Sequence, residues 1–272
     1  MLPAMRFQYA IFLPVALFSI ASCKTLPLPA PSDAAFKKLE QRGRDQLSQG
    51  DYAGAKSTLQ EALGKYPNRP EVSDVELLLA VAEYNLGRKD RARSLREKVA
   101  REGPTPEIQA RALSGLGWME LRDDRYESAA RNYKAAASLE GDRDRKAHLL
   151  SWAGVACQRA GRFEEAHGLF RRVIEIAPGS KSATRAREGL LYPDHFAVQT
   201  GAFADPKNAR RQREMLAARG YPVQILALEA PSGRLHCVRV GSYPTREQAK
   251  ALLEGIRTAQ ILPASAKISV RP

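Results

Sequence analysis

Two polar residues near the C-terminus stand at matching places in two similar sequences and can recognise a polar ligand. Gln199 belongs to FAVQTGAF (196–203), and Arg239 belongs to LHCVRVGSY (235–243). A glutamine amide donates and accepts hydrogen bonds with hydroxyl and amide groups, whereas a guanidinium offers a planar fork to a carboxylate. The two side chains together indicate binding of a polar and partly anionic ligand.

The residue types that usually carry catalysis do not fall into a catalytic pattern in this sequence. Four histidines show no metal-ligand spacing among themselves or with Cys157, namely His148, His167, His195 and His236. His236 and Cys237 are adjacent, but successive residues of a strand point to opposite faces and cannot form a nucleophile pair. The sequence has no phosphate-binding loop and no recognisable pair of catalytic carboxylates. We therefore predict no enzyme, no metal site and no cofactor.

The elements that position Gln199 and Arg239 recur with a spacing of 40 residues. The matching pairs are Val198 and Val238, Gly201 and Gly241, Phe203 and Tyr243, Ala209 and Ala249, and Leu216 and Ile256. Each copy reads as a short alternating strand, a glycine turn and a helix, which Asp205-Pro206 or Pro244-Thr245 opens. Two such units in tandem predict a βαββαβ sandwich of the ferredoxin or RNP type, with helices on one sheet face and the other face bare.

Strand alternation divides the side chains of the predicted sheet between its two faces. The residues expected to face the helices as core are Phe196, Val198, Val238 and Val240. The residues expected on the bare face are Ala197, Gln199, Leu235, Cys237 and Arg239. Because the first and third strands are central neighbours in this fold, Gln199 and Arg239 should lie side by side. We expect Gly201 and Gly241 to form tight turns, and Gly201 to let a ligand approach the backbone.

Three segments of this region closely resemble the SPOR domain family: FAVQTGAF, NARRQREMLAARGYPV and GRLHCVRVGSYPTREQAKALLEGI. The resemblance covers 194–272 and implies binding to peptidoglycan glycan strands stripped of their stem peptides, which accumulate at bacterial division septa. The glycan-binding residues expected from the resemblance and from strand parity are Gln199, Gly201, Ala202, Phe203, Leu235, Cys237 and Arg239. The chain departs from the family at Cys237, where arginine is common, and at Leu235, where some members have tryptophan. Phe203 serves either packing or ligand contact, because Tyr243 stands at the same position of the other repeat.

The chain is strongly basic, with a formal net charge of +13. From His195 onward, 12 lysines and arginines stand against 5 acidic residues, so the C-terminal region has a large share of that charge. A basic surface attracts polyanions, and a glycan strand without stem peptides carries a free carboxylate on each muramic acid. RNA is the competing polyanion for this fold, but it needs stacking aromatics where the sequence has Gln199, Cys237 and Arg239. We therefore predict no nucleic-acid partner.

Between Asp33 and Leu191 the sequence repeats with a spacing of 37 residues. The spacing links Gly43, Ala80, Gly117 and Gly154, then Ala55, Ala92, Ala129 and Ala166, and also Tyr52, Lys89, Tyr126 and Phe163. Small residues where two helices touch and a large residue in the turn resemble the tetratricopeptide repeat, whose period is usually about 34. We predict four helix pairs over 33–191, with 182–191 as a capping helix.

A tetratricopeptide-like array implies a concave groove that holds a protein partner. Trp118 and Trp152 fall on predicted first helices and either line this groove or belong to the core. The second unit departs most from the repeat, because Lys89 and Arg96 replace large apolar residues. We expect that unit to pack less well or to be partly exposed.

The N-terminus has the features of an export signal. Arg6 precedes a mostly apolar run (7–20) that is too short to span a bilayer and ends in Ile20-Ala21-Ser22-Cys23. This ending resembles the lipobox of bacterial lipoproteins, and the resemblance implies removal of residues 1–22 and lipidation of Cys23. Residues 23–32 then form a proline-rich tether. Lys24 after the cysteine indicates the outer membrane, by analogy with enterobacterial sorting.

The predicted fold class is α+β and multidomain: an α-helical tetratricopeptide-like solenoid followed by a small βαββαβ domain. The predicted protein is noncatalytic, periplasmic, lipid-anchored to the outer membrane and enriched at the septum. It binds peptidoglycan glycan strands through its C-terminal domain and an unidentified protein partner through its repeats. The alternative is a scaffold component of an outer-membrane assembly or secretion complex that is merely tethered to the wall. Diffuse envelope localisation, without a midcell band, would favour that alternative.

Overall fold

The computed structural model describes residues 33–191, 194–230, 233–258 and 267–269. The predicted signal peptide, Cys23 and the proline-rich tether lie outside these residues. In the described ranges, no helix is both long enough and apolar enough to cross a membrane. The described chain is a row of helices followed by a small sheet domain.

The helical array consists of consecutive helices joined by short loops. They are α1 (Asp33–Ser48), α2 (Tyr52–Lys65), α3 (Val72–Asn85), α4 (Lys89–Glu102), α5 (Pro106–Arg122), α6 (Tyr126–Leu139), α7 (Arg143–Arg159), α8 (Phe163–Ile176) and α9 (Lys181–Leu190). Side-chain caps fix several helix starts: Asp51 accepts a hydrogen bond from the backbone N–H of Gly54, and Thr105 accepts one from Ile108. Each helix packs on its neighbours in the chain, so the apolar core runs along the row.

The repeat of 37 residues has a direct structural meaning. The second helix of each pair begins on it, at Tyr52, Lys89, Tyr126 and Phe163. In three pairs, a glycine of the first helix lies against a large side chain of the second helix. A Cβ added at that glycine would crowd or overlap the side chain. These contacts are Gly43 with Leu59, Gly117 with Tyr133, and Gly154 with Phe170. The second pair has Ala80 and Arg96 at the same two places. The array is therefore regular in three pairs and altered in one.

The C-terminal domain alternates strands and helices in the predicted order. Its elements are β1 (Phe196–Phe203), α10 (Pro206–Ala217), β2 (Val223–Ala230), β3 (Gly233–Tyr243), α11 (Arg246–Thr258) and β4 (Lys267–Ser269). The sheet is antiparallel with strand order β2-β3-β1-β4, so β1 and β3 are central neighbours. On the helix side, Val238 and Val240 pack with Leu216 and Ile256. The predicted fold class, a helical solenoid followed by a βαββαβ domain, is confirmed.

The sheet domain contacts the third and fourth helix pairs of the array. Phe163 at the start of α8 meets Phe196 at the start of β1, with ring centroids 5.5 Å apart. The guanidinium of Arg246, at the start of α11, lies 4.6 Å from the ring centroid of Tyr126 and 3.7 Å from a carboxylate oxygen of Asp124. The array therefore joins the end of the domain at which β1 and α11 begin.

Candidate functional site

The sheet face opposite the two helices carries a row of three polar residues. Arg239 of β3 pairs with Gln199 of β1 on one side and with Gln224 of β2 on the other. Residues directly opposite each other in antiparallel strands share one face, so the three side chains are neighbours. Gln224 is exposed and Gln199 is partly buried. The predicted juxtaposition of Gln199 and Arg239 is therefore present, with Gln224 as a third member. We call these three residues the polar row.

Apolar residues continue this face toward the β2–β3 hairpin. Cys237 pairs with Ala202 on one side and with Leu226 on the other, and Leu235 pairs with Leu228. The three leucines are partly buried, whereas Ala202 is exposed. The face therefore offers hydrogen-bonding groups beside apolar surface, which suits a ligand that presents both hydroxyl and C–H groups.

The centre of this face is less exposed than the sequence predicts. Arg239 and Cys237 each keep only 2% of their accessible surface, and Ala197 keeps 1%. All three lie on the central strands β1 and β3, which have a paired strand on each side. The expectation that Arg239 presents an open fork to solvent is wrong.

Burial of Arg239 changes the electrostatics of the polar row. Loss of hydration lowers the pKa of its guanidinium, because burial penalises the charged form. The pKa of His195, which immediately precedes β1, is lowered as well, first by burial and then by the positive charge of Arg239. A cation in such a low-dielectric place attracts an approaching anion more strongly than a cation in water does.

Gly201 and Phe203 pack against each other on the helix side of the sheet. Gly201 lies inside β1, next to a register shift, and not in a tight turn. A Cβ at this position would lie 2.5 Å from the ring of Phe203 and 2.5 Å from the side-chain oxygen of Gln212 on α10. Phe203 itself packs in the helix-side core that includes Val238. Both residues therefore belong to the helix side of the sheet.

The second copy of the repeat has the same contact between a glycine and an aromatic ring. Gly241 lies inside β3 with a φ of 78°, in the left-handed region that favours glycine. A Cβ there would overlap the ring of Tyr243, which packs beside Phe196 and Ala249. The repeated glycine and aromatic residue therefore stabilise the fold, because each ring lies against the glycine two positions earlier. The predicted tight turn at Gly241 is wrong as well.

Several residues of this face escape prediction from the sequence, namely His195, Gln224, Leu226 and Leu228. The alternation in VQILALEA (223–230) places the last three on one side of a strand. Which side that is depends on the pairing of β2 with β3, which alternation alone does not give. His195 lies outside both strand patterns, and only its place beside β1 marks it.

The two tryptophans of the helical array lie at one cavity. Trp118 of α5 and Trp152 of α7 line a space of about 590 Å³, which Arg96 of α4 also reaches. Trp118 is 39% exposed, so it is not a core residue. Trp152 packs partly against the core that contains Tyr133, so it belongs to both the core and the cavity.

Among the described residues, the other reactive side chains lie apart from one another. Cys157 is buried, and burial raises the pKa of its thiol to about 11, which leaves little thiolate at neutral pH. Strand alternation places His236 and Cys237 on opposite faces of β3. Across the described parts of the chain, no three histidine, cysteine or acidic side chains are grouped as metal ligands would be.

Comparison with protein families identifies both parts of the chain. The SPOR domain family matches residues 192–266, and the tetratricopeptide repeat family matches residues 41–105 and 114–181. Both are generally noncatalytic binding modules. A comparison with curated proteins found no match.

Comparison with solved structures gives matches to parts of this chain, two of which are described here. A tetratricopeptide repeat protein from Parabacteroides merdae is 16% identical, with a TM-score of 0.49, over 58% of this chain and 59% of that one. The structure of PilF from Pseudomonas aeruginosa is 20% identical, with a TM-score of 0.48, over 69% of this chain and 73% of that one. This chain thus spans only 59% of the length of the first of these structures. The family matches and the architecture agree, and the chain contains tetratricopeptide repeats followed by a C-terminal SPOR domain.

Proposed function

We propose that this protein binds peptidoglycan glycan strands without stem peptides through its SPOR domain, and a protein partner through its tetratricopeptide repeats. The SPOR domain indicates peptidoglycan binding and a periplasmic location in the cell envelope, and the repeats indicate protein interaction. The observation that carries the glycan assignment is the polar row on the helix-free sheet face, where Gln199, Arg239 and Gln224 are paired across three strands.

The chemistry of the ligand matches this row. Glycan strands present hydroxyl and acetamido groups, which an amide side chain can both donate to and accept from. Removal of a stem peptide also converts the lactyl amide of muramic acid into a carboxylate, so a denuded strand is a regularly spaced polyanion. The 12 basic residues against 5 acidic ones from His195 onward favour such a ligand over a neutral strand.

The three residues of the polar row have different roles in this proposal. Gln224 and Gln199 retain exposed surface and make the hydrogen bonds to the sugar. Arg239 lies between them and is buried, so it supplies a positive charge at the bottom of the polar row. This charge attracts the carboxylates of the glycan strand and thereby orients the glycan. Leu226, Leu228 and Leu235 are partly buried on the same face and contact the apolar sides of the sugar rings.

Anchoring and localisation complete the proposal. Lipidation of Cys23 would hold the protein in a membrane, and the residue after it, Lys24, favours the outer membrane. An anchored protein with affinity for denuded strands would accumulate where such strands are exposed, which is the division septum. The helical array would then present a protein partner at that place.

Co-sedimentation of the full-length protein with sacculi tests the glycan assignment. Treatment of the sacculi with an amidase that removes stem peptides should increase the amount of protein in the pellet. Equal pelleting with treated and untreated sacculi would remove the proposed preference for denuded strands.

Substitution within the polar row tests which surface is responsible. The double variant Gln199→Ala, Gln224→Ala should bind treated sacculi at least about tenfold more weakly, because two sugar hydrogen bonds are lost. Gln248→Ala is the matched control, because Gln248 is an exposed glutamine on helix α11. Binding by the double variant that equals binding by the control would place the glycan elsewhere.

A further inference from the structure

The second helix pair of the array departs from the other three at one packing position. Leu59, Tyr133 and Phe170 stand at equivalent places in the first, third and fourth pairs, and Arg96 takes that place in the second. The other three lie against a glycine of their own pair. A long cationic side chain cannot replace such a contact, because its charged end must find polar surroundings. The guanidinium of Arg96 is therefore directed elsewhere.

That guanidinium extends from α4 to the next pair. It lies against Gly115 of α5, where a Cβ would overlap it. There it contributes to the wall of the 590 Å³ cavity, together with Arg111, Arg145, Trp118 and Trp152. The altered repeat therefore adds a positive charge to a cavity that the regular pattern would line with an apolar residue.

Of the three arginines at the cavity, two are paired with carboxylates and one is not, among the described residues. Arg111 forms an ion pair with Asp74, and Arg145 pairs with Glu140, with 3.0 Å between Nε and Oε2. Among the described residues, Arg96 has no such carboxylate, and its Nε is buried without a hydrogen-bond partner. Burial also lowers the pKa of Arg96, because its charged form loses hydration. The cavity therefore contains a partly buried cation that has no carboxylate partner among the described residues.

The aromatic residues of the cavity favour a polypeptide over a sugar. A sugar ring needs a free indole face to stack on, but a guanidinium lies over one face of each indole and a tyrosine ring packs on each indole as well. Arg122 lies 5.5 Å from the ring centroid of Trp118, and Arg185 lies 4.5 Å from that of Trp152. Trp152 also stacks with Tyr133 at 6.4 Å. The remaining indole edges suit an apolar side chain, and the unpaired guanidinium suits a carboxylate beside it.

We propose, building on the protein-binding role given above to the repeats, that this cavity binds an acidic segment of the partner protein. A carboxylate of an aspartate or glutamate in that segment pairs with Arg96. A neighbouring apolar side chain of the segment fills the space between Trp118 and Trp152. The partner is thus recognised by an acidic and apolar sequence, and the second repeat unit supplies the specificity.

The two tryptophans make this proposal directly measurable. They are the only tryptophans of the chain, so intrinsic tryptophan fluorescence reports this cavity and not the SPOR domain. The probes are three short tryptophan-free peptides of alanine and leucine, which carry glutamate, glutamine or lysine at the same positions. The full-length protein should show a saturable change in emission with the glutamate peptide, and at least about tenfold weaker binding of the other two.

Variants then assign the effect to Arg96. Arg96→Met keeps an unbranched stem of similar length and should weaken binding of the glutamate peptide at least about tenfold, while circular dichroism confirms folding. Arg91→Met, on the same helix at an exposed position, is the matched control and should bind normally. Equal binding of the glutamate and glutamine peptides, or normal binding by Arg96→Met, would overturn the proposal. So would affinity weaker than about 1 mM for the glutamate peptide.

Sedimentation with treated sacculi separates this proposal from the glycan assignment. Arg96→Met should pellet as the unmodified protein does, because Arg96 lies in the array and the polar row lies in the SPOR domain. If denuded glycan itself changes the tryptophan emission and Arg96→Met abolishes that change, the cavity is a sugar site and the peptide proposal is wrong.

Discussion

The helical array and the SPOR domain each contain an arginine that loses hydration in the fold, but Arg239 is almost fully buried and Arg96 only partly. Arg239 occupies a regular position of β3, and its counterpart 40 residues earlier, Gln199, is polar as well. Arg96 breaks its own repeat, because the counterparts in the other three pairs are all apolar. In both cases burial lowers the arginine pKa. A polar residue present in every copy of a repeat is a regular feature of the fold. A polar residue present in only one copy indicates a function of that copy.

This difference predicts how each region responds to substitution. In the array, the apolar residues at the repeated position build the fold, and the charge of Arg96 is an addition that folding does not need. In the SPOR domain, the polar row is part of the sheet itself. Four experiments test this contrast, from the largest expected effect to the smallest.

Phe170→Ala removes the apolar counterpart of Arg96 in the fourth pair. Phe170 is fully buried and packs against both Gly154 and Gly189. Its loss should lower the free energy of unfolding by about 3–5 kcal/mol, measured by urea denaturation followed by circular dichroism. Arg171→Ala, at the exposed neighbouring position, should change it by less than about 0.5 kcal/mol. A small effect of Phe170→Ala would mean that the repeated position does not hold the array together.

Adding a methyl group at three glycines compares a rigid neighbour with a flexible one. Gly154→Ala should cost about 1–3 kcal/mol, because the new Cβ overlaps the buried ring of Phe170. Gly115→Ala meets only the end of the Arg96 side chain, which can swing away, so it should cost less. It should nevertheless weaken binding of the glutamate peptide. Gly168→Ala, on a helix with nothing near the added atom, should stabilise by about 0.5–1 kcal/mol. Equal costs at Gly154 and Gly115 would show that the arginine is held as firmly as the ring.

The same substitution at the two arginines should have reciprocal effects. Arg96→Met should raise the free energy of unfolding by up to about 1 kcal/mol, because a partly buried cation without a carboxylate partner among the described residues is replaced by an apolar chain. It should abolish the preference for acidic peptides and leave glycan binding intact. Arg239→Met should weaken binding to treated sacculi about tenfold and leave the tryptophan titration intact. If either variant impairs both kinds of binding, the two sites are not independent.

The lowered pKa of His195 predicts a small dependence of stability on pH. The unfolded chain takes up a proton as the pH falls through about 6.5, whereas the folded chain resists because burial and Arg239 disfavour the charged imidazole. The stability present above about pH 6.5 should therefore decrease as the pH falls toward the lower pKa of the folded state. Thermal melts between about pH 7.5 and about pH 5.5 should show a shallower decrease for His195→Gln. An equal decrease for the variant would remove His195 as the cause.

Periodicity predicts the architecture of this chain because both parts are repetitive. The spacing of 37 marks the starts of the second helices from Tyr52 to Phe163, and the spacing of 40 marks the two copies of strand and helix. Strand parity also places Gln199 and Arg239 on one face of the sheet. Each of these features depends only on local geometry, which the sequence records directly.

Other features depend on how elements meet, and the sequence does not record them. The burial of Arg239 depends on strands that flank β3, and the roles of Gly201 and Phe203 depend on a ring that lies against the strand. Gln224 enters the polar row only through the pairing of β2 with β3. The sequence does mark Arg96 as a departure from its repeat. Only the structure shows that the Arg96 side chain lies against Gly115 and lines a cavity.

The most direct test of the central claim is to observe which backbone amides respond when a denuded glycan oligosaccharide is added to the full-length, isotopically labelled protein. The resonances of Gln199, Gln224 and Arg239 should shift together and saturate together, because these residues form one row on the helix-free face. The amides of helices α10 and α11 should remain unchanged. Shifts confined to those helices or to the array, with the polar row silent, would contradict the claim that this sheet face binds peptidoglycan.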